Sequence, residues 1–167
     1  MENKLKQIRG WIIFFMIALF ISGLTAMPLE AELSFLSRCL SSQTLIGGWI
    51  ERVYLAVTNM NNQYPFLAYG YDWLAFAHFV LAILFIGPLK DPVRNKWVIE
   101  FGMIACLLII PFAFIAGHLR GIPLGWRLID CAFGVVGLTP LGICLLKINV
   151  LEKRITRIQE QNIFFTA

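Results

Sequence analysis

Charged residues are few in this sequence. Only 14% of its 167 residues are charged, whereas 59% are hydrophobic and the mean hydropathy is +0.74. A soluble domain of this length cannot bury so much apolar surface, which excludes an ordinary water-soluble globular protein and indicates an integral membrane protein. The net charge of +4 does not predict a nucleic-acid partner, because the basic residues stand in short clusters between apolar runs.

Motifs of several enzyme and metal-site classes are also absent from the sequence. The four cysteines form no CxxC pair, which argues against disulfide chemistry coupled to quinones. No HxxxH or ExxH pair and no nucleotide motif occurs, so we predict no metal site and no cofactor. Haem ligated by His78 and His118 is an alternative, although the two differ in depth by a turn or more. A Cys39–Cys131 disulfide is topologically allowed if the outer face is oxidising.

Four apolar runs are long enough to cross a membrane. They cover about residues 11–27, 73–89, 97–117 and 126–146, and a helix needs roughly 17–25 residues to cross the hydrocarbon. Since a helix satisfies its own backbone in lipid, we predict an all-α integral membrane protein with a four-transmembrane-helix bundle, as one domain over residues 1–167. The first run is too long for the apolar core of a signal peptide and is predicted to be a span.

Basic residues predict the orientation of the four spans. Ten Lys and Arg residues lie in the N-terminal tail, the 90–96 loop and the C-terminal tail, whereas four lie in the 28–72 segment and the 118–127 turn. The positive-inside rule therefore predicts that the N-terminus and the C-terminus are both cytoplasmic.

Two further segments have helical patterns but are not predicted to cross. Residues 28–65 carry leucines at spacings of three and four, which predict amphipathic outer helices on the membrane surface or over the bundle, with a turn at 59–65. The tail at 147–167 has apolar residues at similar spacing. It is predicted to extend the fourth span, to lie on anionic lipid through its basic residues, or to dock a partner.

Six polar side chains belong to the outer third of the predicted spans, where they could face one shared, water-accessible cavity. These candidate ligand-binding residues are His78, His118, Arg120, Arg127, Asp130 and Asp72. Structural roles are the competing interpretation. Asp72 would be the N-cap of the second span, Arg127 and Asp130 an ion pair within one helix, and His78 a hydrogen-bonding partner of another helix.

Two stretches resemble a known group of proteins. YPFLAYGYDWLAFAH (64–78) and WVIEFGMIACLLIIPFAFIAGHLRGIPLGWRLIDCAFGVVG (97–137) resemble an uncharacterised family of small four-span bacterial inner-membrane proteins. The resemblance covers spans two to four and implies a bacterial inner-membrane location but no activity. The layout is also similar to that of the sterol-isomerase-related four-helix proteins and the vitamin K epoxide reductases. No catalytic motif of either can be matched here, so neither chemistry is carried over.

The sequence therefore predicts a small polytopic membrane protein that binds a lipid or a partner subunit through a polar extracytoplasmic pocket. Arg120 and Arg127 would suit an anionic headgroup. The alternative is a membrane-embedded enzyme that acts on a lipid or isoprenoid by acid–base chemistry of His78 and Asp130. Membrane lipids are the predicted partners, with a homo-oligomer or a larger membrane complex as further possibilities.

Overall fold

The computed structural model describes residues 2–166 and, within them, every side chain except those of 160 and 162–166. This part of the chain is helical and contains no strand. The prediction of an all-α protein is confirmed to that extent.

Seven α-helices and one short 3-10 helix follow one another along the described chain. They are α1 (Glu2–Ala26), α2 (Leu29–Cys39), α3 (Leu45–Gln63), the 3-10 helix (Pro65–Ala68), α4 (Tyr69–Leu84), α5 (Ile86–Lys90), α6 (Lys96–Leu119) and α7 (Leu124–Thr166). Four segments are long and apolar enough to cross a membrane: Glu2–Ala26, Pro65–Lys90, Lys96–Leu119 and Leu124–Gln159. They correspond to the four predicted spans and indicate an integral membrane protein.

The helix ends differ from the predicted ones in two places. Helix α1 begins at Glu2, well before its apolar run, because hydropathy marks the part of a helix that lipid can cover and not the helix itself. The predicted turn at 59–65 is wrong, since α3 continues to Gln63 and ends only before Pro65, whose ring disfavours helical backbone at the residue before it. Helix α7 continues from the fourth span through the tail to Thr166, which is the predicted alternative in which the tail extends that span.

The large buried side chains of the four spans meet at one end of the molecule, which the basic residues predict to be cytoplasmic. This inner core contains Ile8, Ile12, Phe15, Phe85, Val98, Ile99, Cys106, Leu141, Cys144, Ile148 and Leu151. Phe85 lies between α4 and α5 and is only 2% exposed. Its ring lies 4.8 Å, centroid to centroid, from that of Phe15 and also lies against Gly102, so it joins the second span to the first and third.

The spans pack most closely as two pairs, α1 with α4 and α6 with α7, and α1 also packs against α7. A Cβ added at Gly23 would lie 2.9 Å from the Ala75 carbonyl oxygen, and one added at Gly134 would lie 2.6 Å from the Cys106 carbonyl oxygen. Small residues allow helix backbones to approach in this way, and such close packing holds helices together in lipid. The α1–α4 and α6–α7 pairs are therefore the most closely packed units of the four spans.

Helices α2 and α3 pack against each other between the first two spans. The Glu30 carboxylate accepts hydrogen bonds from Thr58 Oγ1 at 2.9 Å and from Asn61 Nδ2 at 2.6 Å. Tyr71 in α4 donates from its hydroxyl to Asn61 Oδ1 at 3.4 Å. These contacts tie α2 to α3, and α3 to the start of the second span.

Gly134→Ala tests the close contact within the α6–α7 pair. The new methyl group would meet a backbone carbonyl that cannot move aside, so we expect a loss of about 1–3 kcal/mol in stability. Gly142→Ala, in the same helix, is the matched control, because a Cβ there meets nothing within 4 Å. That change should be neutral or stabilise by about 0.5–1 kcal/mol. Thermal unfolding of both variants in detergent measures the difference, and equal midpoints would contradict the contact.

Glu30 predicts a pH dependence of the α2–α3 pair. Hydrogen bonds from Asn61 and then Thr58 lower the pKa of Glu30 below its usual value of 4.5. A group with a lowered folded pKa stabilises the fold above its unfolded pKa, and this contribution is lost as pH falls through the folded value. Acidification below about 4.5 should therefore destabilise the wild type more than Glu30→Gln. Thermal midpoints across pH check this, with the exposed Glu51→Gln expected to behave as the wild type.

Candidate functional site

A cavity of about 390 Å³ lies between the α1–α4 pair and the α6–α7 pair. Its lining residues are Phe14, Phe15, Ala18, Leu19, Ser22, His78, Cys106, Ile109, Asp130, Phe133, Val136, Gly137 and Pro140. Phe15 and Cys106 also belong to the inner core, so the core forms the floor of this crevice cavity. Phe14, Phe133 and Val136 are 54%, 69% and 64% exposed, which places them at a mouth that faces sideways, toward lipid in a membrane.

His78 and Asp130, two of the six candidate residues, line this crevice cavity together. His78 reaches it from α4 and Asp130 from α7, and both are half-buried. Asp130 lies six residues, or about 9 Å of helix, from the first residue of α7. A carboxylate at this shallow depth costs less than the roughly 2.5–3.5 kcal/mol of the bilayer centre. The chain therefore brings an acid and an imidazole to one apolar cavity.

The protonation pattern of His78 follows from its one hydrogen bond. Its Nδ1 lies 2.8 Å from the carbonyl oxygen of Leu74, one turn earlier in the same helix. Within the described part of the chain, His78 does not form the expected hydrogen bond to another helix. Since a carbonyl oxygen can only accept, Nδ1 donates to Leu74, and a ring that carries this one proton has Nε2 as an acceptor.

Asp130 and its neighbours in α7 provide further acceptors. Within the described part of the chain, the Asp130 carboxylate accepts no hydrogen bond and belongs to no ion pair. Pro140 has no N–H to donate to the carbonyl of Val136, four residues earlier, and both residues line the crevice cavity. The polar groups here therefore mostly accept hydrogen bonds, and a ligand that matches them must donate.

Arg127 takes a structural position outside the crevice cavity. Its Nε donates to the carbonyl oxygen of Ile122 at 2.7 Å, and its side chain lies against Gly117 at the end of α6. The predicted ion pair with Asp130 is wrong, because the guanidinium is drawn back to the turn that joins α6 to α7. Arg127 therefore fixes this turn, as a charge-assisted hydrogen bond to a carbonyl can do.

The remaining three candidates do not line the crevice cavity either. His118 and Arg120 are exposed at the end of α6. Asp72 is exposed and lies against a surface depression with Tyr69, Trp73 and Phe76. It is not the predicted N-cap, because a 3-10 helix precedes α4 and moves the helix start to Tyr69. In the first turn its carboxylate still faces the positive end of the helix dipole. One cavity shared by all six candidates is therefore not observed.

The cysteines remain separate thiols. Cys39 is exposed at the end of α2, whereas Cys131 is buried in α7, and neither is paired with another cysteine. The disulfide that topology allows is not formed in this structure.

Apolar lining residues of the crevice cavity were not predicted as site residues. Ser22, Ile109 and Phe133 belong to uninterrupted apolar runs, in which no residue type distinguishes a cavity wall from a lipid-facing surface. Pro140 was the one signal available, because a proline inside a span frees a carbonyl.

Comparisons with known proteins do not assign this site. No protein-family model matches the chain, and neither a curated protein nor a solved structure shows significant similarity to it.

Proposed function

We propose that this chain is a polytopic membrane protein that binds an amphipathic lipid in the crevice cavity. The ligand would carry a hydroxyl or amino group for His78 and Asp130 and an apolar chain for the phenylalanine-lined mouth. The observation that carries this proposal is that those two polar side chains, with Ser22, line one largely apolar cavity that opens sideways. Ligand sites generally combine apolar walls with a few convergent polar groups.

The hydrogen-bonding character of the cavity favours a donating headgroup over an anionic one. His78 Nε2, the Asp130 carboxylate and the Val136 carbonyl all accept, so an anionic phosphate would face acceptors and a negative charge. Arg120 and Arg127 would be needed to hold such a headgroup, but Arg120 is exposed and Arg127 is engaged with Ile122. This revises the ligand class from an anionic headgroup to a hydroxyl or an amine.

The membrane setting of the proposal comes from charge and helix length. We place the four spans as a bundle in a bacterial inner membrane, with both termini in the cytoplasm, because ten of fourteen basic residues lie on that side. The crevice cavity then extends from the outer leaflet, where His78 and Asp130 lie, to the middle of the membrane. Helices α2 and α3 carry apolar side chains such as Phe35 and Leu55, 67% and 56% exposed, which would lie in the outer interface as amphipathic helices.

Native mass spectrometry of the protein in detergent tests lipid binding. We expect a stoichiometric lipid adduct in the wild type and its loss in Ala18→Trp, since an indole at this position fills the crevice cavity. Ala77→Trp is the matched control, because Ala77 is an exposed alanine of a neighbouring span that does not line the cavity. Bare protein in a fixed multimer would contradict lipid binding and favour a partner subunit. An adduct kept by both variants would place the lipid elsewhere.

A second candidate function is catalysis on the bound lipid. The observation that favours it is an imidazole and a carboxylate that line one cavity, since such a pair can take a proton from the carbon beside a lipid hydroxyl and give a proton to that hydroxyl, which leaves as water as a double bond forms.

The mass of the bound lipid separates catalysis from binding. If the pair catalyses loss of the lipid hydroxyl as water, incubation should lower the mass of the adduct in the wild type by that of one water, and His78→Ala or Asp130→Asn should slow that change by about 10²–10⁴-fold while binding persists. Asp72→Asn, which is exposed outside the crevice cavity, should convert at the wild-type rate. An adduct of constant mass in the wild type would leave binding as the function.

A further inference from the structure

A second cleft, of about 490 Å³, lies at the opposite end of the spans from the crevice cavity. It is lined by Lys96, Asn149, Glu152, Lys153, Thr156 and Arg157. Lys96 is the first residue of α6, and the other five lie on one face of α7 at positions three, four, seven and eight residues beyond Asn149. These five polar residues form one face of α7, and this face continues beyond the level of Lys96, where α6 begins.

The charge of this basic cleft is positive. Lys96 donates to Glu152 at 3.0 Å and lies 4.0 Å from Glu100. Lys96 therefore balances the single carboxylate of the lining, and Lys153 and Arg157 supply the excess positive charge. Such a pair of cations is suited to an anion with several oxygens, because guanidinium and ammonium groups form their strongest hydrogen bonds with phosphate.

An unsatisfied polar atom marks the inner wall of the basic cleft. Asn149 Oδ1 is buried and has no hydrogen-bond partner within the described part of the chain. A buried polar atom without a partner costs free energy, so a bound group that supplies one is favoured. The carboxamide can turn to present either its oxygen or its NH₂ group, and can therefore serve a hydroxyl or an anionic oxygen.

The basic cleft also lies at the depth of lipid headgroups. Trp97 follows Lys96 and is 58% exposed, as expected of an aromatic side chain at a membrane interface. Side chains lean toward the N-terminal end of their helix, which for α7 is the direction of the membrane. Lys153 and Arg157 therefore lean back toward the interface at which Asn149 lies.

We propose that this cleft is a second binding site, formed by Lys96, Asn149, Lys153 and Arg157, for the phosphate group of a ligand with a net negative charge. The group could be the headgroup of an anionic phospholipid in the inner leaflet or a soluble phosphate. The site is independent of the crevice cavity, because the two share no residue. It also differs from diffuse attraction of the tail to an anionic surface, because Asn149 is uncharged and Arg154 lies outside the lining.

Titration of the full-length protein with phosphatidylglycerol, followed by native mass spectrometry in detergent, tests the site. Arg157→Gln should weaken binding of the first phosphatidylglycerol by about tenfold. Arg154→Gln is the matched control, since it removes the same charge from an exposed position of the same helix, and its effect should be less than about twofold. Equal losses in the two variants, or equal affinity for phosphatidylcholine, would overturn the proposal.

One further measurement tests whether binding depends on the shape of the cleft and not only on its charge, and a second identifies the source of the phosphate group. Asn149→Leu changes no charge but should still weaken binding. If a variant that elutes as the wild type does binds the lipid unchanged, the role of the cleft is overturned.

Competition by inorganic phosphate distinguishes the two sources of the phosphate group. Displacement of the lipid by millimolar phosphate would show that the site accepts a soluble anion, and persistence of the lipid would assign the site to the headgroup.

Discussion

The packing around Phe85 is the interaction on which the rest of the structure depends. Its ring contacts Phe15 and Gly102, and through the surrounding inner core it holds all four spans together at one end. Lipid tails are as apolar as leucine side chains, so the hydrophobic effect does not drive these helices together within a membrane and close packing must do so. Because the large interdigitating side chains are concentrated at this end, the two helix pairs are free to separate toward the other. The crevice cavity is the consequence.

The position of the crevice cavity explains how His78 and Asp130 are tolerated in apolar helices. The core below them excludes water from the inner half, whereas the separation of the pairs leaves space around the two side chains. An ionisable group in a span normally faces the protein interior or a water-filled cavity and marks a functional site. His78 is further held by Leu74, which sets the orientation of its ring before a ligand arrives. Preorganisation of this kind reduces the ordering cost of binding.

Sequence patterns predict well how deep a residue lies along its span, but they predict poorly which way its side chain points around the helix axis. The four apolar runs located the spans, and counting residues from the span ends placed His78 and Asp130 at similar levels because the helical rise is constant. The rotation of each helix about its axis was not accessible, since every face of a span is apolar and periodicity carries little information. That is why Asp72 and His118 could be assigned to the outer side but not excluded from the cavity. Arg127 was misassigned for a different reason, since its partner is a backbone carbonyl, which no residue type reveals.

Helix α7 contributes residues to both proposed sites. These residues accept hydrogen bonds in the crevice cavity and donate them in the basic cleft. Asp130, near the first residue of α7, adds a carboxylate, and Pro140, further along the span, frees a carbonyl, so the crevice cavity accepts hydrogen bonds. Near its inner end Lys153 and Arg157 donate hydrogen bonds beside Asn149. A neutral hydroxyl lipid has no charge to match the basic cleft, and a phosphate would be repelled by Asp130. In these two proposals each site selects against the ligand of the other, so that one continuous helix carries two sites of opposite specificity.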